Sequence, residues 1–265
     1  MNANATTLIP RREQNWRMGF ANMFAKENIS WWRTRRWWIQ CLLWLVILNG
    51  NIELNWRGNS TLTNIGIAFL TTAVMTLPIA AISLAQDAIL GEKHSGTAAW
   101  VLSKPLRRPA FVLSKLIAYA FGFLVCGIVL PGVVAYFQLT RIGMPQLSPW
   151  RFAGAMGLVY LNLLFYLTLT MMLATLFNGR GAVLGISYGL ALTGLLSVMF
   201  ARTKLLVFLL KIMPWQLTIS ATNDPLAARL AVGACLPTLT PIIATALWCI
   251  VFVVVAVWRF CREEF

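Results

Sequence analysis

Long apolar runs follow one another through this chain from Trp37 to Trp258, with only short polar gaps between most of them. A segment that crosses roughly 30 Å of hydrocarbon must satisfy its own backbone, which leaves helices or a closed barrel. Runs of about 20 apolar residues have the length a helix needs at 1.5 Å per residue. Hydrophobic residues make up 59% of the chain and charged ones 11%, where soluble domains carry about 25% charge. Water cannot cover such a chain, and no soluble domain can be cut from it. The sequence predicts an all-α polytopic membrane protein of six transmembrane helices, with an N-terminal amphipathic interfacial helix and re-entrant outer helices before the last span.

Residues 1–14 are polar and predict a disordered N-terminus. Over 15–38, Trp16, Phe20, Met23 and Phe24 recur at helical spacing with Arg17 and Lys26 off that stripe, the pattern of a helix lying in the headgroup plane. Trp31, Trp32, Trp37 and Trp38, interleaved with arginines, form an interfacial belt. The first 36 residues lack the apolar core of a cleavable signal peptide, so the N-terminus is expected to be retained.

Residues 39–265 form the six-helix unit. Its first span is the weakest, because the clean apolar run from Trp37 to Leu48 is too short and must continue through Asn49 and Asn51. The second runs from about Ile65 to Ala85 and includes Pro78. The third runs from about Phe111 to Phe137 and includes Pro131. The fourth covers about Phe152 to Phe177, the fifth Gly181 to Phe200, and the last Ile242 to Trp258. Between them lie a polar connection over 86–109 and an outer region, 201–241, whose two short apolar stretches are interrupted by prolines and predict helices that dip in and return.

The net charge of +14 is distributed between the apolar runs, where anionic headgroups hold it; it reads as topology, with no nucleic-acid partner. With the N-terminus inside, fifteen of the 22 Lys and Arg face the cytoplasm. That predicts an inner-membrane, multi-pass protein with both termini cytoplasmic. The five cysteines form no C-x-x-C pair, so neither a disulfide framework nor a metal site follows.

The residues argue against an enzyme. Gly185-Ile186-Ser187-Tyr188-Gly189 matches G-x-S-x-G, but it lies inside an apolar span, and the single histidine, His94, falls in the cytoplasmic connection. A nucleophile elbow needs a strand, a turn and a nearby histidine. Gly181, Gly185 and Gly189 instead repeat every four residues, the small-xxx-small face on which membrane helices approach. There is no P-loop, so the chain does not hydrolyse ATP by itself. The spans carry no ionisable group at depth, which separates the chain from ion-coupled carriers; an energy source should lie outside the bilayer. On the fourth span, Tyr160, Tyr166, Thr168, Thr170, Met171 and Met172 are candidate lining for a solute path, and equally ordinary packing residues.

The most informative stretch is GEKHSGTAAWVLSKPLRRPAFVLSKLIA, from Gly91 to Ala118. Ala98 to Leu102 give an apolar helix face, Pro105 stops it, and Lys104, Arg107 and Arg108 meet the headgroups. The residue types alone leave open a docking surface or a solvated basic loop. The order of Glu92, Gly96-Thr97, Leu102-Ser103, Pro105, Arg107-Arg108 and Lys115 resembles the ABC-2 family of ABC exporter permeases, and the layout from Asn15 onward agrees.

That resemblance implies a permease subunit of an ATP-driven exporter that forms the translocation path. Its partners would be a separate ABC ATPase subunit, a second permease copy or paralogue, and membrane lipid. No cofactor is expected on this chain; ATP and Mg would sit on the ATPase. The resemblance makes 86–109 a coupling segment and assigns the ATPase contact to Glu92, Gly96, Thr97, Trp100, Leu102 and Pro105. Arg107, Arg108 and Lys115 would anchor the segment to lipid or neighbouring carboxylates. The rival reading is a membrane anchor or scaffold that recruits a cytosolic partner through the same loop without transport.

Overall fold

The computed structural model describes residues 19–58, 60–97, 106–144, 147–200, 213–214, 226–233 and 238–263. The predicted disordered terminus, Trp100, Leu102 and Pro105, and most of the outer 201–241 region lie outside the described residues. Every regular element among the described residues is helical. Five helices there are long and apolar enough to cross a bilayer: Trp37–Arg57, Leu62–His94, Arg108–Arg141, Pro149–Leu176 and Thr240–Cys261.

Helix α1 (Phe20–Arg33) is the amphipathic element. Phe20, Met23, Phe24, Glu27, Asn28, Trp31 and Trp32 turn toward the protein, whereas Ala21, Asn22, Ala25, Lys26, Ile29 and Ser30 face out, a spacing of three and four residues that makes one stripe. The chain breaks at Thr34, which is extended, and re-enters as α2 (Arg36–Trp44).

The first span offsets its shortage of apolar residues in part by burying Asn49 and pairing Asn51 with Asn55. A π-helical turn, Leu45–Asn49, joins α2 to α3 (Gly50–Arg57). Asn49 is buried and donates its Nδ2 to the Pro131 carbonyl at 3.4 Å, while Asn55 Nδ2 donates to the Asn51 carbonyl at 2.8 Å. Polar groups at membrane depth are tolerated when protein supplies their partners.

The second membrane helix, α4 (Leu62–His94), passes through Pro78 without ending and carries nine residues beyond the predicted boundary at Ala85. The third is composite: α5 (Arg108–Phe123), a π-helical turn Leu124–Val129, and α6 (Leu130–Arg141). The widened turn immediately precedes Pro131, whose ring would meet the carbonyl one turn back in a regular helix and which has no N–H to give.

Helix α7 (Pro149–Leu176) is the axis of the bundle. It packs against α4, against α9 (Leu226–Val232) and against α10 (Thr240–Cys261). Asn162 Nδ2 reaches the Val74 carbonyl of α4 at 3.5 Å. Lipid tails are as apolar as leucine, so such helices gain from close packing more than from burial. Gly127 brings its backbone to Leu77, and Gly132 to the Met156 thioether, at 3.0 and 3.2 Å from where a Cβ would stand. Helix α8 (Arg180–Phe200) occupies the predicted fifth span. On α10, Ile243, Leu247, Ile250, Val254 and Trp258 are exposed, a lipid-facing stripe.

For four of the six fourth-span candidates the packing alternative holds. Tyr166, Thr168, Thr170 and Met171 are buried inside the monomer's bundle. Their hydroxyls are spent locally: Thr168 donates to the Leu164 carbonyl, and Thr170 to the Tyr166 carbonyl and the Ser187 hydroxyl. They are packing residues, because α7 is surrounded by the other helices and presents no open side there.

Candidate functional site

The end of the bundle where α4 closes and α5 begins gathers most of the charged groups among the described residues. Helix α4 ends at His94, with Ser95 as its cap and Gly96 in the left-handed region at φ 70°. The Gly96 N–H returns to the Lys93 carbonyl at 3.3 Å and the Ser95 N–H to Gly91 at 3.1 Å, the ordinary closure of a helix by glycine. Thr97 hydrogen-bonds the Ser95 hydroxyl at 2.8 Å and donates to the Glu92 carbonyl at 3.4 Å. Gly96 and Thr97 are exposed, and nothing lies within 4 Å of where a Gly96 Cβ would be. That corner is the part of the predicted coupling segment that the described residues leave exposed.

The last three residues of α4 hold partners on different neighbours, Glu92 and Lys93 half-buried and His94 exposed. Glu92 accepts from Lys115 Nζ of α5 at 2.9 Å. Lys93 donates to Glu263, just past α10, at 2.7 Å, and to the Thr175 carbonyl of α7 at 3.3 Å. His94 Nε2 lies 2.8 Å from the carbonyl of Asn178, in the turn between α7 and α8. Successive helical side chains are about 100° apart, so one turn of helix can serve neighbours on several sides.

Lys115 is the deepest of these charges. Its side chain is 3% exposed and lies between two carboxylates, Glu27 of α1 at 3.0 Å and Glu92 at 2.9 Å, with Lys26 3.6 Å from Glu92 at the rim. Its ammonium also stands 5.1 Å from the centre of the Phe111 ring. A charge this enclosed needs paired and hydrogen-bonded neighbours, and two lysines with two glutamates make the group neutral. Helix α1 is thereby tied to the start of the coupling segment.

The exit of the segment is fixed as well. Arg108, at the first turn of α5, donates through Nη1 to the carbonyls of Cys261 and Glu263, both at 2.7 Å. These are carbonyls at the end of α10, where a helix lacks internal donors and favours a cation. Phe111 stacks on Phe260 at 5.0 Å with the rings 5° from parallel. Arg107 is an exposed residue of the same turn.

Helix α1 is seated on α5 by Trp31. Its indole meets Tyr119 and Phe123 edge-on at 5.4 and 5.7 Å and lies so close to Gly122 that a Cβ there would overlap the ring. A cleft of about 350 Å³ remains beside this contact, lined by Glu27, Ser30, Gln40, Asp87 and Tyr119 among others.

The remaining candidates fall elsewhere. Ser187 is fully buried against Thr170, while His94 bonds the Asn178 carbonyl in the turn between α7 and α8, so the two are not brought together as a pair. Beside Gly181, Gly185 and Gly189 there is open space within 4 Å of each Cβ position. Three site residues escaped the sequence reading: Glu27, Lys93 and Glu263. Glu27 did leave a signal, since it falls on the apolar stripe of α1 where a charge must find a partner. Lys93 and Glu263 left none, because their pairing joins residues far apart in the chain.

Residues 13–265 match the family model described as ABC-2 family transporter protein. No curated protein matches the chain.

Proposed function

The chain belongs to the ABC-2 transporter family, as a membrane component of an ABC transporter, and from that membership we propose that it is the permease subunit of an exporter driven by a separate ATPase. ATP and Mg are held by that ATPase, and the exposed Gly96-Thr97 corner with the residues after it is the surface on which the ATPase sits. The observation that carries this reading is the clamp around the corner. Glu92, Lys93, His94, Lys115 and Arg108 join both ends of the segment to α1, α5, α7 and the end of α10. A push on the corner therefore loads several helices together, which a flexible recruitment loop has no need to do.

In this reading Glu92 and Lys115 transmit force and do not touch the ATPase; Gly96, Thr97, Trp100, Leu102 and Pro105 provide the contact, and Arg107 stays at the headgroups. We place both termini in the cytoplasm of an inner membrane, with α8 as the fifth of six spans and the outer 201–241 region as re-entrant helices. A second permease copy or a paralogue packs along the open Gly181, Gly185, Gly189 face, as small-residue stripes allow.

Thr97→Glu tests the contact. It keeps the glycine turn and adds charge to an exposed site. The expected result is loss of ATPase copurification with normal membrane insertion and helix content; full copurification contradicts the assignment.

A further inference from the structure

Glu263 holds both ends of the predicted coupling segment at once. Its carboxylate takes Lys93 at 2.7 Å, where the segment leaves α4, and its backbone carbonyl takes Arg108 at 2.7 Å, where the segment enters α5. Both side chains of the ion pair are largely withdrawn from solvent, 7% exposed for Lys93 and 16% for Glu263, so salt screens the pair far less than a surface pair. Directly behind it, Phe260 is fully buried and stacked on Phe111, and Arg108 caps the carbonyl of Cys261. The end of α10 is thus held by an ion pair, a two-carbonyl cap and a ring stack.

We propose that Glu263 is a positioning residue for coupling: it closes the base of the coupling segment into a ring, so that displacement of the segment moves α10 as a lever. Without it, Glu92 and Lys115 still bridge α4 to α5, but the Lys93 end loses its tie to α10, and displacement of the corner reaches α10 only through α5. The ring also explains why a lysine is withdrawn from water at this depth. Lys93 draws on the Thr175 carbonyl of α7 in addition to Glu263, so the two charges are held where α4, α7 and α10 converge. This inference rests on the permease reading, since it requires an ATPase to displace the corner.

The test is hydrogen exchange on the purified permease–ATPase complex, with and without ATP plus vanadate. In the wild type, nucleotide trapping is expected to change protection both at residues 91–97 and along α10. In Glu263→Gln the ATPase should still copurify and the change at 91–97 should persist, whereas the change along α10 should be reduced to what the Arg108 cap and the Phe111–Phe260 stack still carry. The double variant Lys93→Gln, Glu263→Gln should reduce it no further than Glu263→Gln alone, which a general loss of stability would not permit. An undiminished α10 response in Glu263→Gln, or a further loss in the double variant, overturns the proposal. A wild-type preparation that contains no ATPase fails the permease reading itself and is distinguished from both by that absence.

Discussion

At the scale of single residues, the account depends on Lys115. An ammonium 3% exposed and flanked by Glu27 and Glu92 exchanges a large desolvation cost for two charge-assisted hydrogen bonds. Removing one partner of such a group typically costs about 3–5 kcal/mol, much of it from the charges left behind. Lys115→Met should therefore lower the thermal midpoint of the purified permease sharply. Adding Glu27→Gln and Glu92→Gln should recover most of the loss, because neutral partners no longer repel. A midpoint unchanged in Lys115→Met would mean that the cluster is open to water and structurally idle. Gly122 gives a second residue-scale prediction: Gly122→Leu drives a side chain into the Trp31 indole and should displace α1, read as faster proteolysis before Arg33. Pairing it with Trp31→Ala should restore protection.

At the scale of elements, helices and membrane class were legible because periodicity and length are local properties. The stripe of Phe20, Met23 and Phe24 identified α1, and the long apolar runs identified the membrane helices. Boundaries were less legible. The polar tail of α4 beyond Ala85 read as loop, yet Gln86 to His94 remain helical because Asp87, Glu92, Lys93 and His94 find partners on neighbouring elements. The first span likewise looked too short until Asn49 met the Pro131 carbonyl, a contact across more than 80 residues. The two π-helical turns carried no sequence signal beyond the proline that follows one of them. By type the fourth-span aromatic and Met residues suited packing more often than lining; the burial of Tyr166, Thr168, Thr170 and Met171 inside the bundle decides those four for packing.

At the scale of the whole molecule, the site divides in two. Its exposed half, Gly96 and Thr97, was legible only through the resemblance of the Glu92 to Lys115 stretch to the ABC-2 family. Its buried half, Glu27, Lys93, Lys115, Arg108 and Glu263, converges from four distant parts of the chain, and no spacing rule announces such a meeting. The charge distribution makes the same division: the spans stay apolar, and most of the ion pairs lie at the end we place in the cytoplasm. The most direct measurement is purification of the tagged wild-type protein in mild detergent, with mass spectrometry of its partners and an ATPase assay on the complex. The account predicts a P-loop ATPase at near-equal stoichiometry with vanadate-sensitive activity; a stable partner without a P-loop, and no ATPase, would contradict it and establish a scaffold instead.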